Sequence, residues 1–483
     1  MVQGQLDCAL ISLDRASRES LSAQLAAALE ARIATGLLTA GDRLPTTREL
    51  SAALAINRGT VQVAYRKLQD GGLVESRVGS GTVVRGAAQR PAFDPDRLLS
   101  LRARGMIREE SSPAAVFDVA DFSSLTPDER FFPLEEFTRT LANAWSKRRD
   151  LWQYAPPPGL PELREEIARR LRAHGLERSP NEILVTSGAQ QGLDLLFRTF
   201  TDPGDAVALE SPTYSGAIAL ARFAGVDVVP LPMQKDGPDA SPLSGRRVKL
   251  VYTMPERQNP TGVTAQAACR RELLDAAVAS GALVVEDGYE EPESELPPLA
   301  AQDPERAIWL GTLSKDLVPG FRIGWLAGPA AVIDRLARVK KTADFQTPLP
   351  LQAAVAEFLR EGGDRRARKN RALEVETRRI AAERALRRHL PEATWWGGEV
   401  RNAIFWLQLP RGVSGRRVAE RVALSGVGVA PGADFDPLGE DRPNLRLSVS
   451  RVEKRGIERG IALLAEAVRA VAAASAAHTA PVV

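Results

Sequence analysis

Gly311-Thr-Leu-Ser-Lys-Asp-Leu-Val-Pro-Gly-Phe-Arg-Ile-Gly-Trp325 places a lysine between two apolar runs, Ala307-Ile-Trp-Leu310 and Ile323-Gly-Trp-Leu-Ala327. Both runs read as buried strands. A buried ammonium is costly, and its pKa falls. One use for Lys315 is a Schiff base with an aldehyde cofactor. Thr312, Ser314 and Arg322 then offer hydroxyls and a guanidinium for an anion, most simply a phosphate. Pyridoxal 5′-phosphate needs that combination of amine and phosphate pocket. A surface loop with a solvated lysine is the competing reading of the stretch, and the rest of the chain has to decide between them.

Outward from this stretch, apolar runs of strand length alternate with helical patterns. The runs are Ile183-Leu-Val185, Ala206-Val-Ala-Leu209, Val226 to Leu231, Val248 to Tyr252, Ala282-Leu-Val-Val285 and Ala307 to Leu310. Nearly continuous apolarity marks parallel strands buried on both faces. An α/β domain over residues 116–483 is expected, with its ligand at the carboxyl ends of the strands. The chemically distinctive residues fall just after those runs. Thr186-Ser-Gly-Ala-Gln-Gln191 opens a helix and can cradle a phosphate. Tyr214 can stack on a ring or sit in a core. Asn259, in Gln258-Asn-Pro-Thr-Gly262, offers an amide. Asp287 can keep a pyridine nitrogen protonated, and Tyr289 can bond a ring hydroxyl. Arg446 is a cation in the apolar strand Asn444-Leu-Arg-Leu-Ser-Val449. It needs an anion, either a ligand carboxylate or a structural salt-bridge partner. Residues 457–476 read as an Ala-rich helix.

The chain's 483 residues exceed one ordinary domain. Net charge is only +3, so a nucleic-acid role requires a local patch. Two cysteines, three histidines and no metal-ligand spacing argue against a metal site or a disulfide framework, and fit a reducing cytoplasm. No signal peptide or membrane span is expected.

Residues 1–85 supply the patch. Leu21, Leu25, Leu29 and Ile33 recur at helical spacing, with Gly36 placed to end the helix. Thr46 can cap a second helix and Asn57 a third, whose stripe is Val61, Ala64, Tyr65 and Leu68. Leu73–Arg77 and Thr82–Val84 read as a hairpin. Helix, helix-turn-helix and hairpin make a winged helix-turn-helix. From Arg43 to Arg85 seven cations face three anions, +4 locally. A small helical cap with a solvated basic face is the plainer reading. Residues 86–115 read as a tether, with ends roughly 30 Å apart as a flexible coil and about 100 Å when extended.

Arg43-Leu-Pro-Thr-Thr-Arg-Glu-Leu50, Asn57-Arg-Gly-Thr-Val61, Tyr65 and Glu75-Ser-Arg-Val-Gly-Ser-Gly-Thr82 resemble the GntR-type DNA-binding domain. The resemblance implies contacts to double-stranded DNA by Arg43, Thr46, Arg48, Arg58, Thr60, Arg77 and Gly79. Gly59 stands where that family often carries a larger polar residue, and glycine has no side chain to read a base edge. The later motifs together resemble the fold type I aminotransferases. That implies pyridoxal 5′-phosphate held as an internal aldimine by Lys315, with Asp287 on the ring nitrogen and Asn259 and Tyr289 on the ring oxygen. Tyr214 stacks on the ring. Ser187, Gly188, Ala189, Thr312, Ser314 and Arg322 hold the phosphate. Arg446 takes an α-carboxylate. Glu256-Arg257 replaces the Ser-His common in regulator members, and Gly288 replaces a common aspartate.

The two resemblances in this order are the layout of the MocR subfamily of GntR-type regulators. They imply a transcription factor that senses a small amine or amino acid, as a homodimer with winged domains exchanged between protomers. An aminotransferase whose winged domain is secondary is the rival reading.

Overall fold

The computed structural model describes residues 11–15, 17, 19–77, 81–85, 94–100, 102–104, 117–290, 295–399 and 402–479. They divide into two compact units, residues 1–98 and 99–483.

In the first unit, helix Leu21–Ala34 starts at Ser20, whose hydroxyl accepts from the Ala23 amide, and runs out at Thr35 and the left-handed Gly36. Helix Thr47–Ala53 begins in a capping box, in which Thr46 and Glu49 satisfy each other's amides. Asn57 caps helix Arg58–Asp70 through the Gly59 amide. Strands Val74–Arg77 and Gly81–Val84 pair antiparallel, with Val74 opposite Val84. Leu25, Leu29, Leu50, Val61, Leu68, Val74 and Val84 are buried together. Each contributes about 1.5–3 kcal/mol of burial. The Tyr65 hydroxyl donates to the Pro45 carbonyl at 2.7 Å, which fixes the turn ahead of the second helix. The winged helix-turn-helix is therefore present.

The second unit is built on an eight-stranded sheet. Its order is Ile183–Thr186, Gly324–Ala327, Ala307–Thr312, Leu283–Gly288, Leu250–Thr253, Ala206–Ser211, Asp227–Gln234 and Gly237–Pro238. All six apolar runs are strands of it. The pairings are parallel from Ala307–Thr312 across to Asp227–Gln234. Gly324–Ala327 is antiparallel to both of its neighbours. Residues alternate between two cores. Ala208, Val251, Val284 and Trp309 face one side, while Val207, Leu209, Val285 and Leu310 face the other. This is why the runs lack polar alternation.

A third core lies in the C-terminal layer. Here Thr394–Gly397, Ile404–Gln408, Asn444–Ser448 and Ala430–Pro431 form an antiparallel sheet. Only Asn444–Val449 of this layer is a strand in the sequence reading. Helix Gly363–His389 joins the layers: Ala367 packs in the first core, and Ala382, Ala385 and Leu386 in the third. The Ala-rich helix runs over Lys454–Thr479. Among the described residues, no helix is long and apolar enough to cross a membrane.

Candidate cofactor cleft and nucleic-acid interface

Because six strands of the sheet run in one direction, Ile183–Thr186 among them, the turns after them gather at one edge, where the sequence places its chemistry. Lys315 follows strand Ala307–Thr312 and lines a cleft of about 710 Å³, together with Leu125, Arg257, Glu290, Ala403 and Ser450. Its ammonium donates to the Leu125 carbonyl. Burial pulls its pKa down to about 8, helped by the charge of Arg446 and opposed by Glu290 and Asp287. About a tenth of the amine is therefore neutral near pH 7, far more than for an ordinary lysine.

Asp287 ends the neighbouring strand and is buried. One carboxylate oxygen accepts from the Tyr252 hydroxyl at 2.6 Å; the other, also buried, has no hydrogen-bond partner. Burial pushes its pKa up to about 6 against the Tyr252 bond and the Lys315 charge. An unpaired buried carboxylate oxygen is costly, and a cationic N–H is what it lacks.

Gly188, at φ 92°, turns the chain into helix Ala189–Phe200. A Cβ on Gly188 would lie 2.6 Å from the Arg322 guanidinium, so that cation sits directly over the turn. Arg322 donates to the Ser187 carbonyl at 3.2 Å and holds a left-handed backbone at φ 48°. Such strain in a non-glycine residue is kept where the surrounding structure dictates it. Thr312 and Ser314 hydroxyls bond each other at 3.1 Å. The Ser187 hydroxyl faces Thr347 at 3.3 Å and Asp344 at 3.4 Å.

Arg446 is buried in strand Asn444–Ser448. It donates to Asn259 Oδ1 at 3.0 Å and to the Ser123 carbonyl, and its guanidinium lies 4.9 Å from the Phe435 ring centroid. Among the described residues no carboxylate pairs with it, and its buried Nε has no hydrogen-bond partner. Burial lowers its pKa to about 10, so it stays charged at neutral pH. The structural salt bridge that the sequence left open does not form among these residues. The Tyr214 hydroxyl bonds Gln190 at 3.2 Å. The Tyr289 hydroxyl, expected on a ring oxygen, donates to the Arg257 carbonyl at 2.5 Å.

The structure thus brings Ser187, Gly188 and Arg322 together, and Asn259 with Arg446, while Lys315 and Asp287 share an electrostatic environment. Sequence reasoning passed over Tyr252, for which a hydroxyl at the end of an aliphatic strand was the available signal. It also passed over Glu210, which accepts from Thr253, the Met254 amide and Gln258 and so holds the Asn259 turn.

In the first unit Arg43, Arg48 and Arg58 are exposed. Thr46 spends its hydroxyl on the helix cap, accepting from the Glu49 amide at 3.2 Å. Thr60 is half-buried in the first turn of helix Arg58–Asp70. Arg77 ends the first hairpin strand, and Gly79 lies outside the described residues. Gln62, Val63, Arg66 and Lys67 are exposed further along the same helix. Gly59 leaves base-edge reading to such neighbours.

Residues 118–464 match aminotransferase class I and II, and residues 21–84 match the bacterial regulatory proteins of the gntR family. The HTH-type transcriptional regulator TauR of Rhodobacter capsulatus is 31% identical over 457 residues, 90% of this chain and 94% of that protein. The probable rhizopine catabolism regulatory protein MocR of Rhizobium meliloti is 33% identical, over 73% of this chain and 74% of that one. The crystal structure of LysN, an α-aminoadipate aminotransferase from Thermus thermophilus complexed with N-(5′-phosphopyridoxyl)-L-leucine, superposes with a TM-score of 0.70 at 29% identity. It covers 79% of this chain and all of that one.

The donor set fits pyridoxal 5′-phosphate, the cofactor of this family: an amine at Lys315, an unsatisfied acid at Asp287 and a cationic helix start at Gly188. A winged DNA-binding domain followed by a cofactor-binding aminotransferase-like domain makes this chain a ligand-sensing transcriptional regulator, and it belongs to the MocR-type members of the GntR family.

Proposed function

We propose that the ligand sensed is an amine carrying a carboxylate, an amino acid in the simplest case, and that Lys315, Asp287 and Arg446 read it. The observation that carries this reading is Arg446, a buried cation whose hydrogen-bond partners among the described residues are neutral and which Asp434 and Asp121 influence only through space. A buried guanidinium is satisfied best by a carboxylate in bidentate contact. Bound in the cleft, pyridoxal 5′-phosphate supplies an aldehyde for an amine and a ring that withdraws electrons. Lys315 contributes the resident amine. Its nitrogen would hold the aldehyde end of the group, and an incoming amine would compete for that same place. Asp287 would keep a proton on the ring nitrogen through its unpartnered oxygen, with Tyr252 fixing the other oxygen. The amides at Gly188 and Ala189, the hydroxyls of Ser187, Thr312 and Ser314 and the Arg322 guanidinium would take the phosphate. Tyr214 would lie against the ring, and Asn259 and Tyr289 would border its oxygen.

For a ligand to change DNA binding it must prefer one arrangement of the protein over another. The active unit in this reading is a homodimer in the cytoplasm, with winged domains exchanged between protomers. Trp145, Trp152, Tyr154 and Phe345 are 60%, 55%, 82% and 58% exposed. The first two rings lie 6.3 Å apart and the last two 5.7 Å. Aromatics left on the surface in pairs support a partner face. DNA contacts fall to Arg43, Arg48, Arg58, Thr60 and Arg77. A second reading, full transamination of the bound amino acid, is favoured by the completeness of the Lys315, Asp287 and Arg446 set.

Two results are expected. Arg48→Ala weakens DNA binding and lowers the slope of log affinity against log salt by about 1, as loss of one phosphate contact does. A mobility-shift titration over a salt series reads this, and an unchanged slope makes Arg48 a structural residue. The rate at which the apoprotein takes up cofactor rises about tenfold per pH unit below pH 8 and then levels, because only the neutral Lys315 amine attacks. A lysine of ordinary pKa would keep accelerating past pH 10. Stopped-flow absorbance across pH 6–10 separates the two profiles.

A further inference from the structure

The residue after Lys315 is a second charged group that the reading above leaves unused. Asp316 is 4% exposed. While Lys315 reaches the Leu125 carbonyl, the Asp316 carboxylate meets the Arg170 guanidinium of helix Pro161–Arg172. Arg170 also donates to Asp364 at 2.6 Å, and Asp364 accepts from Arg368 at 3.2 Å. Arg371 completes the cluster. It donates to the Asp316 backbone carbonyl at 2.7 Å, with its guanidinium 3.9 Å from the Asp316 carboxylate. Asp364, Arg368 and Arg371 all lie in the first turns of helix Gly363–His389, which carries core residues of both layers.

We propose that Asp316 is a positioning residue that ties Lys315 to the start of helix Gly363–His389, so that what Lys315 is bonded to sets how firmly that helix is held. The inference rests on the cofactor reading of Lys315. The turn carrying both residues is short and closed, since the Leu317 amide donates to the Leu313 carbonyl at 2.8 Å. Lys315 and Asp316 share that turn, so a shift of the Lys315 backbone is also a shift of Asp316. Holding the cofactor's aldehyde end would draw the Lys315 nitrogen off the Leu125 carbonyl and fix the turn that carries Asp316. Arg371 grips the peptide carbonyl of Asp316 itself, so a turn fixed by the cofactor holds the start of the helix more firmly. Buried ion pairs resist separation, because a lone charge left in a core is costly. The cluster therefore transmits displacement and does not absorb it. The helix it moves spans the first and third cores, and close-packed layers shift between discrete arrangements. A change at one lysine is thereby delivered to the C-terminal layer.

The test is amide hydrogen exchange of residues 363–376 in the full-length protein, with and without pyridoxal 5′-phosphate, with visible absorbance as the measure of loading. In the wild type, loading is expected to slow exchange there by about threefold or more. Arg371→Met keeps the aliphatic stem and removes both contacts to Asp316. It is expected to load as the wild type does, with the slowing cut to less than about half. Asp316→Asn keeps the carbonyl bond to Arg371 and should fall between the two. Undiminished slowing in Arg371→Met overturns the proposal. A wild type that loads without any slowing also overturns it, while leaving the cofactor reading intact. A wild type that acquires no visible band overturns both.

Discussion

Lys315→Ala is expected to abolish the visible absorbance of the cofactor-loaded protein and, with it, every ligand-dependent change in DNA affinity. Lys315 is the amine in the turn that follows strand Ala307–Thr312, whereas Lys369, the other lysine lining the cleft, comes from helix Gly363–His389. The fold should survive. The substitution removes a cation whose pKa burial has already dragged down, and leaves one carbonyl, that of Leu125, without its donor. That loss costs about 1–3 kcal/mol at most. Ligand-free affinity for DNA should stay within about 0.5 kcal/mol of wild type, because the winged unit and the cleft share no residues. Absorbance spectra and fluorescence polarisation on the same preparations check both halves. A visible band that persists in Lys315→Ala would remove Lys315 from its assigned role.

Arg446→Leu should have the next largest effect, and a selective one. Loading through Lys315 continues, so the visible band remains. Compounds that pair an amine with a carboxylate lose their anchor. Breaking a buried charge pair costs roughly 3–5 kcal/mol, so their apparent affinity should drop at least about a hundredfold. Simple amines have no carboxylate to lose and should bind the variant about as they bind the wild type. The variant also leaves Asn259 Oδ1 and the Ser123 carbonyl without a donor. A spectral titration with matched pairs, an amino acid and the amine lacking its carboxylate, separates that structural cost from the loss of recognition. Equal losses for both members of each pair would make Arg446 a scaffold residue.

The parallel sheet was legible because its strands are buried on both faces and so write themselves as aliphatic runs. The winged domain was legible because Thr46 and Asn57 are caps and Gly36 and Gly72 take left-handed turns, all of which are local chemistry. The C-terminal layer was not. Ile404–Gln408 takes its register from Asn444–Ser448, about forty residues on, as with Asn444 opposite Gln408, and the edge strand Thr394–Gly397 depends in turn on Ile404–Gln408. Single residues announced themselves where their type was out of place, as Lys315 and Arg446 did among aliphatic neighbours. Their orientation was hidden. Whether Arg446 faced an acid or neutral groups depended on Ser123 and Asn259, 323 and 187 positions away. The same holds for Tyr252 on Asp287, 35 residues apart, and for Asp316 on Arg170, 146 apart.

The central claim is that one chemical event at Lys315 sets DNA affinity. The most direct test follows both in one sample. The cofactor-loaded full-length protein is placed on a labelled DNA fragment that it selects from a random pool, and amino acids are titrated in one at a time. The account predicts a compound that shifts the visible band and the DNA affinity with the same midpoint, and does neither to Lys315→Ala. A compound that turns over to its oxo acid at the cleft while DNA affinity stays constant would contradict it, and would make the large domain an enzyme whose chemistry the winged domain does not hear.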